Sequence, residues 1–203
     1  MLQTITKVFV VSGLLYSLNS WACSCLWEGP FTQVQNKTDL VVSGKLIASK
    51  GNSADLEIDT LIRGIEHKPQ VRIWMHTRAL CRPKIEEFPV GSEWVMALYR
   101  IEQAIPGGFN PNTPNISYGR QGDYSLSICG GYWLQLNEER VSGNLTKGTR
   151  WDMNPRMNPV LLYLLIAYID GNIDIENLIA AGRESNLPRD LILDTKSFLR
   201  QQR

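Results

Sequence analysis

From Asp39 onward the apolar positions recur with a period of two, in short segments set apart by turn-forming residues. Asp39 to Ala48 is apolar and β-branched, with Gly44 as the expected bulge. After the turn residues Lys50 to Ser53, Leu56, Ile58, Thr60 and Ile62 alternate with Glu57, Asp59 and Leu61, the pattern of a half-buried strand. Val71, Ile73 and Met75 alternate with Arg72, Trp74 and His76 in a third. Ser92 to Ile101 predicts a fourth strand, Asp123 to Cys129 a fifth, and Tyr132 to Leu136 a short sixth. Between the fourth and fifth, Pro106 to Gly122 is rich in Pro, Gly and Asn and reads as a long loop. A short loop or helical turn over Pro30 to Lys37 precedes them all. Such a run of short strands without a βαβ rhythm predicts a mainly β fold, an OB-fold-type Greek-key barrel.

After about Trp151 the period changes. Pro159 to Asp170 is nearly continuous apolar sequence ended by Gly171, and Asp174 to Ala181 is a second helical run stopped by Gly182. Pro188 sits in the first turn of a third, where Leu191, Ile192, Phe198 and Leu199 recur at helical spacing. The apolar run is well short of a membrane span, so it reads as a core helix. The expected organisation is a barrel domain over residues 23–150 and a C-terminal α-helical extension over 151–203.

The first 22 residues carry a different signal. Lys7 supplies a positive start, Val8 to Leu18 an apolar stretch of signal-peptide length, and Ser20-Trp21-Ala22 places small residues at −3 and −1. Cleavage there makes Cys23 the mature N-terminus and sends the protein to a secreted or periplasmic location, with no transmembrane segment left behind. The rival reading is a lipoprotein anchored at Cys23. Against it stand Ser20, where lipoproteins normally carry a larger aliphatic residue, and the odd cysteine that lipidation would leave. The mature chain keeps 181 residues, and its 20 basic and 20 acidic side chains balance. That balance argues against nucleic acid as a partner.

Four cysteines in an exported chain read as two disulfides. A Cys23–Cys25 bridge would be badly strained, which leaves one cysteine of the tag to Cys81 and the other to Cys129. Other candidate chemistry has plainer readings. His67 and His76, the two histidines of the chain, lack the further ligands a zinc site needs. Glu86-Glu87 and Glu138-Glu139 read as solvated loop charges, and Trp74, Trp94 and Trp133 as barrel core. The Cys-x-Cys tag is not the Cys-x-x-Cys of redox proteins, and no phosphate loop, nucleophile elbow or HExxH motif occurs. Asn36, Asn115 and Asn144 begin glycosylation triplets, which matter only if the source glycosylates. No enzyme activity and no cofactor is expected.

The tag Cys23-Ser24-Cys25 is followed by a helix-prone stretch and then by Asp39-Leu40-Val41-Val42. Leu56 to Ile62 ends in Arg63-Gly64, Cys81 precedes Phe88-Pro89-Val90-Gly91-Ser92-Glu93-Trp94, and a strand ends at Cys129. Over roughly Cys23 to Leu136 this resembles the N-terminal inhibitory domain of the tissue inhibitors of metalloproteinases, within the netrin-like group of OB-folds. The resemblance implies the pairing Cys23–Cys81 and Cys25–Cys129. Phe31 to Lys37 lacks the cysteine that begins a third disulfide in the animal inhibitors, and the helical tail has none of their C-terminal cysteines.

The resemblance also implies a mechanism. The free α-amine and the carbonyl of Cys23 would chelate the zinc of a target metallopeptidase, at the position such a site keeps open for water. An α-amine titrates near ~8, so the neutral ligand form is accessible and the metal draws off its proton. Ser24 would enter the specificity pocket, and Cys25 would complete the inhibitory wedge. The alternative is a non-inhibitory netrin-like module that binds another exported protein.

Overall fold

The computed structural model describes residues 25–77, 80–108, 116–148 and 157–183. A single turn of helix, α1 (Phe31–Val34), runs into a 3₁₀ turn (Gln35–Lys37) and delivers the chain to two long strands, β1 (Leu40–Lys50) and β2 (Ser53–Arg63). Then come β3 (Gln70–Trp74), a 3₁₀ turn (Ile85–Glu87), β4 (Glu93–Arg100), β5 (Tyr124–Ser125), β6 (Trp133–Asn137), β7 (Arg140–Ser142) and β8 (Val160–Leu161). Helices α2 (Leu162–Ile169) and α3 (Ile175–Ala181) follow.

β1 pairs with β2 and β2 with β3, both antiparallel; β3 pairs with β5 in parallel, β5 with β4, and β4 returns to β1. The sheet therefore closes on itself as a five-stranded barrel of mixed pairing, the OB-type Greek-key architecture expected from the strand pattern. Closure removes the unpaired edges that an open sheet would present.

β1 makes closure possible because it pairs on both sides, and it bends to do so. Its register with β2 shifts at Ser43/Gly44, and a β-carbon on Gly44 would sit 2.1 Å from the Glu57 carbonyl oxygen. Only glycine lets the two backbones approach this closely, which is why the expected bulge falls there. Leu40 to Ser43 are buried at every position, whereas β2 keeps its alternation, with Glu57, Asp59 and Leu61 outward.

One of the expected strands is cut short and the next falls where expected. The fifth strand, expected over Asp123 to Cys129, is only Tyr124–Ser125, because the chain leaves the ladder to reach the disulfide corner at Cys129. The sixth is a full strand: Trp133 to Leu136 pair with the first half of β4, while Tyr99 and Arg100 in its second half pair with β5. β7 was not anticipated. Glu138 and Glu139, expected as loop charges, form the two-residue turn from β6 to β7, with φ of 47° and 62°. Such a turn normally calls for Asn-Gly, so the sequence carries no hairpin signal here.

Val160 and Leu161, expected as the start of a helix, instead form β8 beside β7, and α2 begins at Leu162. Val160, Leu165 and Leu178 are fully buried and belong to the same hydrophobic cluster as the barrel core. The third expected helix, from Pro188, lies outside the described residues.

The tail is thus a wall of the core. Leu165→Ala is expected to lower unfolding free energy by about 2–5 kcal/mol, read as a shift in urea midpoint with unchanged slope. Deleting the chain from Met157 onward removes all three buried side chains and is expected to cost solubility. An unchanged melting temperature in that truncation would make α2 and α3 a separate unit.

Candidate functional site

The N-terminal segment, the loop after β3 and the corner between β5 and β6 meet at one place on the barrel. Cys25 is bridged to Cys129, 104 residues away, with their Cα atoms 5.7 Å apart. Cys81 is disulfide-bonded too, and the Sγ atoms of Cys25, Cys81 and Cys129 lie within 4.8 Å of one another. Cys23 and Ser24, the expected zinc-binding and pocket residues, lie outside the described residues, as does that end of the expected Cys23–Cys81 bridge.

Backbone hydrogen bonds carry the anchoring away from the sulfurs. The Glu28 amide donates to the Cys129 carbonyl at 2.8 Å, and the Gly131 amide donates back to the Gly29 carbonyl at 2.9 Å. The Phe31 amide donates to the Asn144 carbonyl at 2.7 Å, and the Ile128 amide to the Cys81 carbonyl at 3.1 Å. Residues 28–31 are thus zipped between two other segments. Gly131 is where they come closest: a β-carbon there would lie 2.8 Å from the Asn144 carbonyl oxygen and 3.0 Å from the Phe31 nitrogen. Asn144 is buried in this packing, so its glycosylation triplet is not a surface acceptor. Asn36 is exposed, and Asn115 lies outside the described residues.

Two side chains of the segment stand out. Leu26 is 90 % exposed, next to the bridged Cys25. Glu28 turns toward the barrel, where its carboxylate accepts the Tyr132 hydroxyl; Lys37 lies 3.9 Å from the same oxygen. The Tyr132 hydroxyl is in turn 2.9 Å from that of Tyr99. Burial, followed by the bond to Glu28, pushes the Tyr132 phenol well above its ordinary range; burial raises Tyr99 as well.

Among the described residues, Cys25, Cys81 and Cys129 are the grouping of potential ligands close enough to share a metal ion. Their sulfurs are committed to disulfides, and metal binding needs thiolate. Neither His67 nor His76 joins such a grouping, and both are exposed. Glu86 and Glu87 are exposed on a 3₁₀ turn. The three tryptophans sit on strands as expected. Trp74 is buried, and Trp94 and Trp133 pack edge-on against Phe88 at 4.9 and 5.5 Å between ring centroids.

A second polar surface escaped the sequence reading. A cleft of about 300 Å³ opens between β2, β3 and the approach to β5, and several of its charged residues pair across the fold. Arg72 forks onto Asp55 at 2.7 and 2.9 Å, and Trp74 Nε1 donates to Asp123 at 2.8 Å. Glu66 accepts the Tyr124 hydroxyl at 2.7 Å, with Arg100 bonded to both groups. These partners stand 17 to 58 residues apart, so no local motif announces them. Arg82, buried beside Cys81, donates to the Tyr118 carbonyl, and burial lowers it to about 10.

Burial alone would raise Glu66. The Tyr124 hydroxyl, the amides of Lys68 and His67, and Arg100 outweigh it, so its carboxyl lies below the ordinary value. The folded state therefore binds fewer protons here than the unfolded chain. The contribution is present above the ordinary glutamate pKa of ~4.3 and is lost as pH falls through the lower folded value. Glu66→Gln is expected to lower stability at about pH 7 and to flatten its decline below about pH 4, in urea denaturation followed across that range. An acid limb equally steep in both proteins would show that Glu66 is not its source.

The fold and this corner define a class: a small closed β-barrel whose N-terminal segment is anchored to its wall by disulfide and backbone hydrogen bonds. No family model, curated protein or solved structure matches the chain. No helix among the described residues is long and apolar enough to cross a membrane.

Proposed function

We propose that the mature protein is an exported inhibitor of a zinc metallopeptidase, similar in mode to the tissue inhibitors of metalloproteinases. The supporting observation is the anchoring of Cys25. Its bridge to Cys129, beside the bonded sulfur of Cys81, together with the bonds over residues 28–31, holds the chain two residues from the proposed N-terminus. A ligand presented from a rigid base loses little freedom on binding, so more of its contact energy appears as affinity.

In this reading the α-amine and carbonyl of Cys23 close a five-membered ring on the zinc of the target, and Ser24 enters the adjoining pocket. The protein supplies no catalytic group, and the metal belongs to the enzyme it blocks. The disulfides suit an oxidising compartment, secreted or periplasmic. The test is inhibition of a panel of metallopeptidases by the native protein and by a form with one alanine ahead of Cys23. The intact mass of the exported chain fixes its first residue. Equal behaviour of the two forms would remove the Cys23 amine from the mechanism, and two inert forms would leave a netrin-like module that binds another exported protein.

A further inference from the structure

We propose that Glu28 is the positioning residue of the N-terminal tag: held by the Tyr132–Tyr99 hydroxyl pair, its carboxylate fixes the path on which the chain runs to Cys25. The consequence for inhibition rests on the function proposed above; the geometry stands apart from it.

A disulfide fixes one point and leaves the chain beyond it several bonds about which to pivot. A second anchor, away from the first, is needed to set a direction. Glu28 supplies it three residues after Cys25, with exposed Leu26 in the span between. Of its partners, Tyr99 lies on β4, and Tyr132 immediately precedes β6, three residues after Cys129.

The order of the hydrogen bonds follows from the groups. A carboxylate only accepts, so Tyr132 spends its single proton on Glu28, and Tyr99 must then donate to the Tyr132 oxygen. Tyr132 is itself fully buried, its ring 5.6 Å from that of Tyr99, so the hydroxyl that meets Glu28 has little room to move. Lys37 Nζ lies 3.9 Å from the same carboxylate oxygen. A charge-assisted bond to a fixed donor is the stronger and more directional kind. Without it, the backbone bonds at Glu28 and Gly29 remain at the edge of this segment.

The test uses the full mature chain as Glu28→Ala, Glu28→Gln and Tyr132→Phe. Amide hydrogen exchange at Glu28, Phe31 and Gly131 is expected to quicken about tenfold in Glu28→Ala and Tyr132→Phe, with Val95 and Leu134 unchanged. Glu28→Gln keeps an acceptor oxygen and is expected to stay within about twofold of native. Where the native protein inhibits, Glu28→Ala is expected to dissociate about tenfold faster at a nearly unchanged melting temperature. Exchange that is unaltered, or quickened alike throughout the barrel, overturns the proposal, as does undiminished inhibition by Glu28→Ala. If the native protein inhibits nothing on the panel, the inhibitor reading fails, and the exchange pattern alone decides the role of Glu28.

Discussion

A mature chain lengthened by one alanine ahead of Cys23 is expected to lose at least about a hundredfold in inhibition, near ~2.7 kcal/mol of binding free energy. The extension turns the α-amine of Cys23 into a peptide nitrogen, whose lone pair is delocalised and does not bind zinc. It also pushes a residue into the space where the metal would stand. Acetylating the native amine is expected to act in the same way. In both forms the barrel is untouched, so melting temperature and disulfide content should match the native protein. That contrast separates a lost ligand from a damaged fold. Replacing Ser24 with a larger residue makes a finer probe, expected to redistribute inhibition among proteases. If the extended and native forms inhibit equally, some other surface is responsible.

Removing the Cys25–Cys129 bridge is expected to give the largest loss of stability of any single change to the covalent structure. The bridge closes a loop of 104 residues, for which the chain-entropy model gives about 4–5 kcal/mol, a fall in melting temperature of roughly 10–15 °C. The clean variant is the double substitution Cys25→Ser with Cys129→Ser. Replacing only Cys25 frees the Cys129 thiol within 4.8 Å of the Cys81 sulfur, where thiolate attack would reshuffle the remaining bridge. Calorimetry of the double variant beside the native protein checks the size of the effect. A change of only a degree or two would mean that the backbone bonds of residues 28–31 carry the anchoring without the sulfur.

The barrel was legible because its strands obey a local rule. Wherever one face of a strand is buried and the other is wet, side chains must alternate, and Leu56 to Ile62 shows it plainly. β1 was legible for the opposite reason, since a strand buried at nearly every position in its first half reads as an apolar run. Gly44 marked the one place where two backbones touch. The β6–β7 turn was hidden because Glu138 and Glu139 occupy left-handed positions that usually select glycine or asparagine. β8 was hidden because two apolar residues at the head of an apolar helix look like more helix until β7 stands beside them.

The same division holds at the candidate site. The amino-acid sequence by itself determined the strand-rich barrel and the apolar helices that follow it, and its four cysteines set the expectation of two bridges from the tag. Each depends on residues close together in the chain or on a count. Which tag cysteine meets Cys129, and what holds the segment beyond it, only the tertiary structure decided. The Cys25–Cys129 bridge, the bond that Tyr132 donates to Glu28 and the part-buried Glu66–Tyr124 pair join residues 58 to 104 positions apart. Nothing local distinguishes such partners, because what selects them is closure of the barrel, which brings segments distant in the chain side by side.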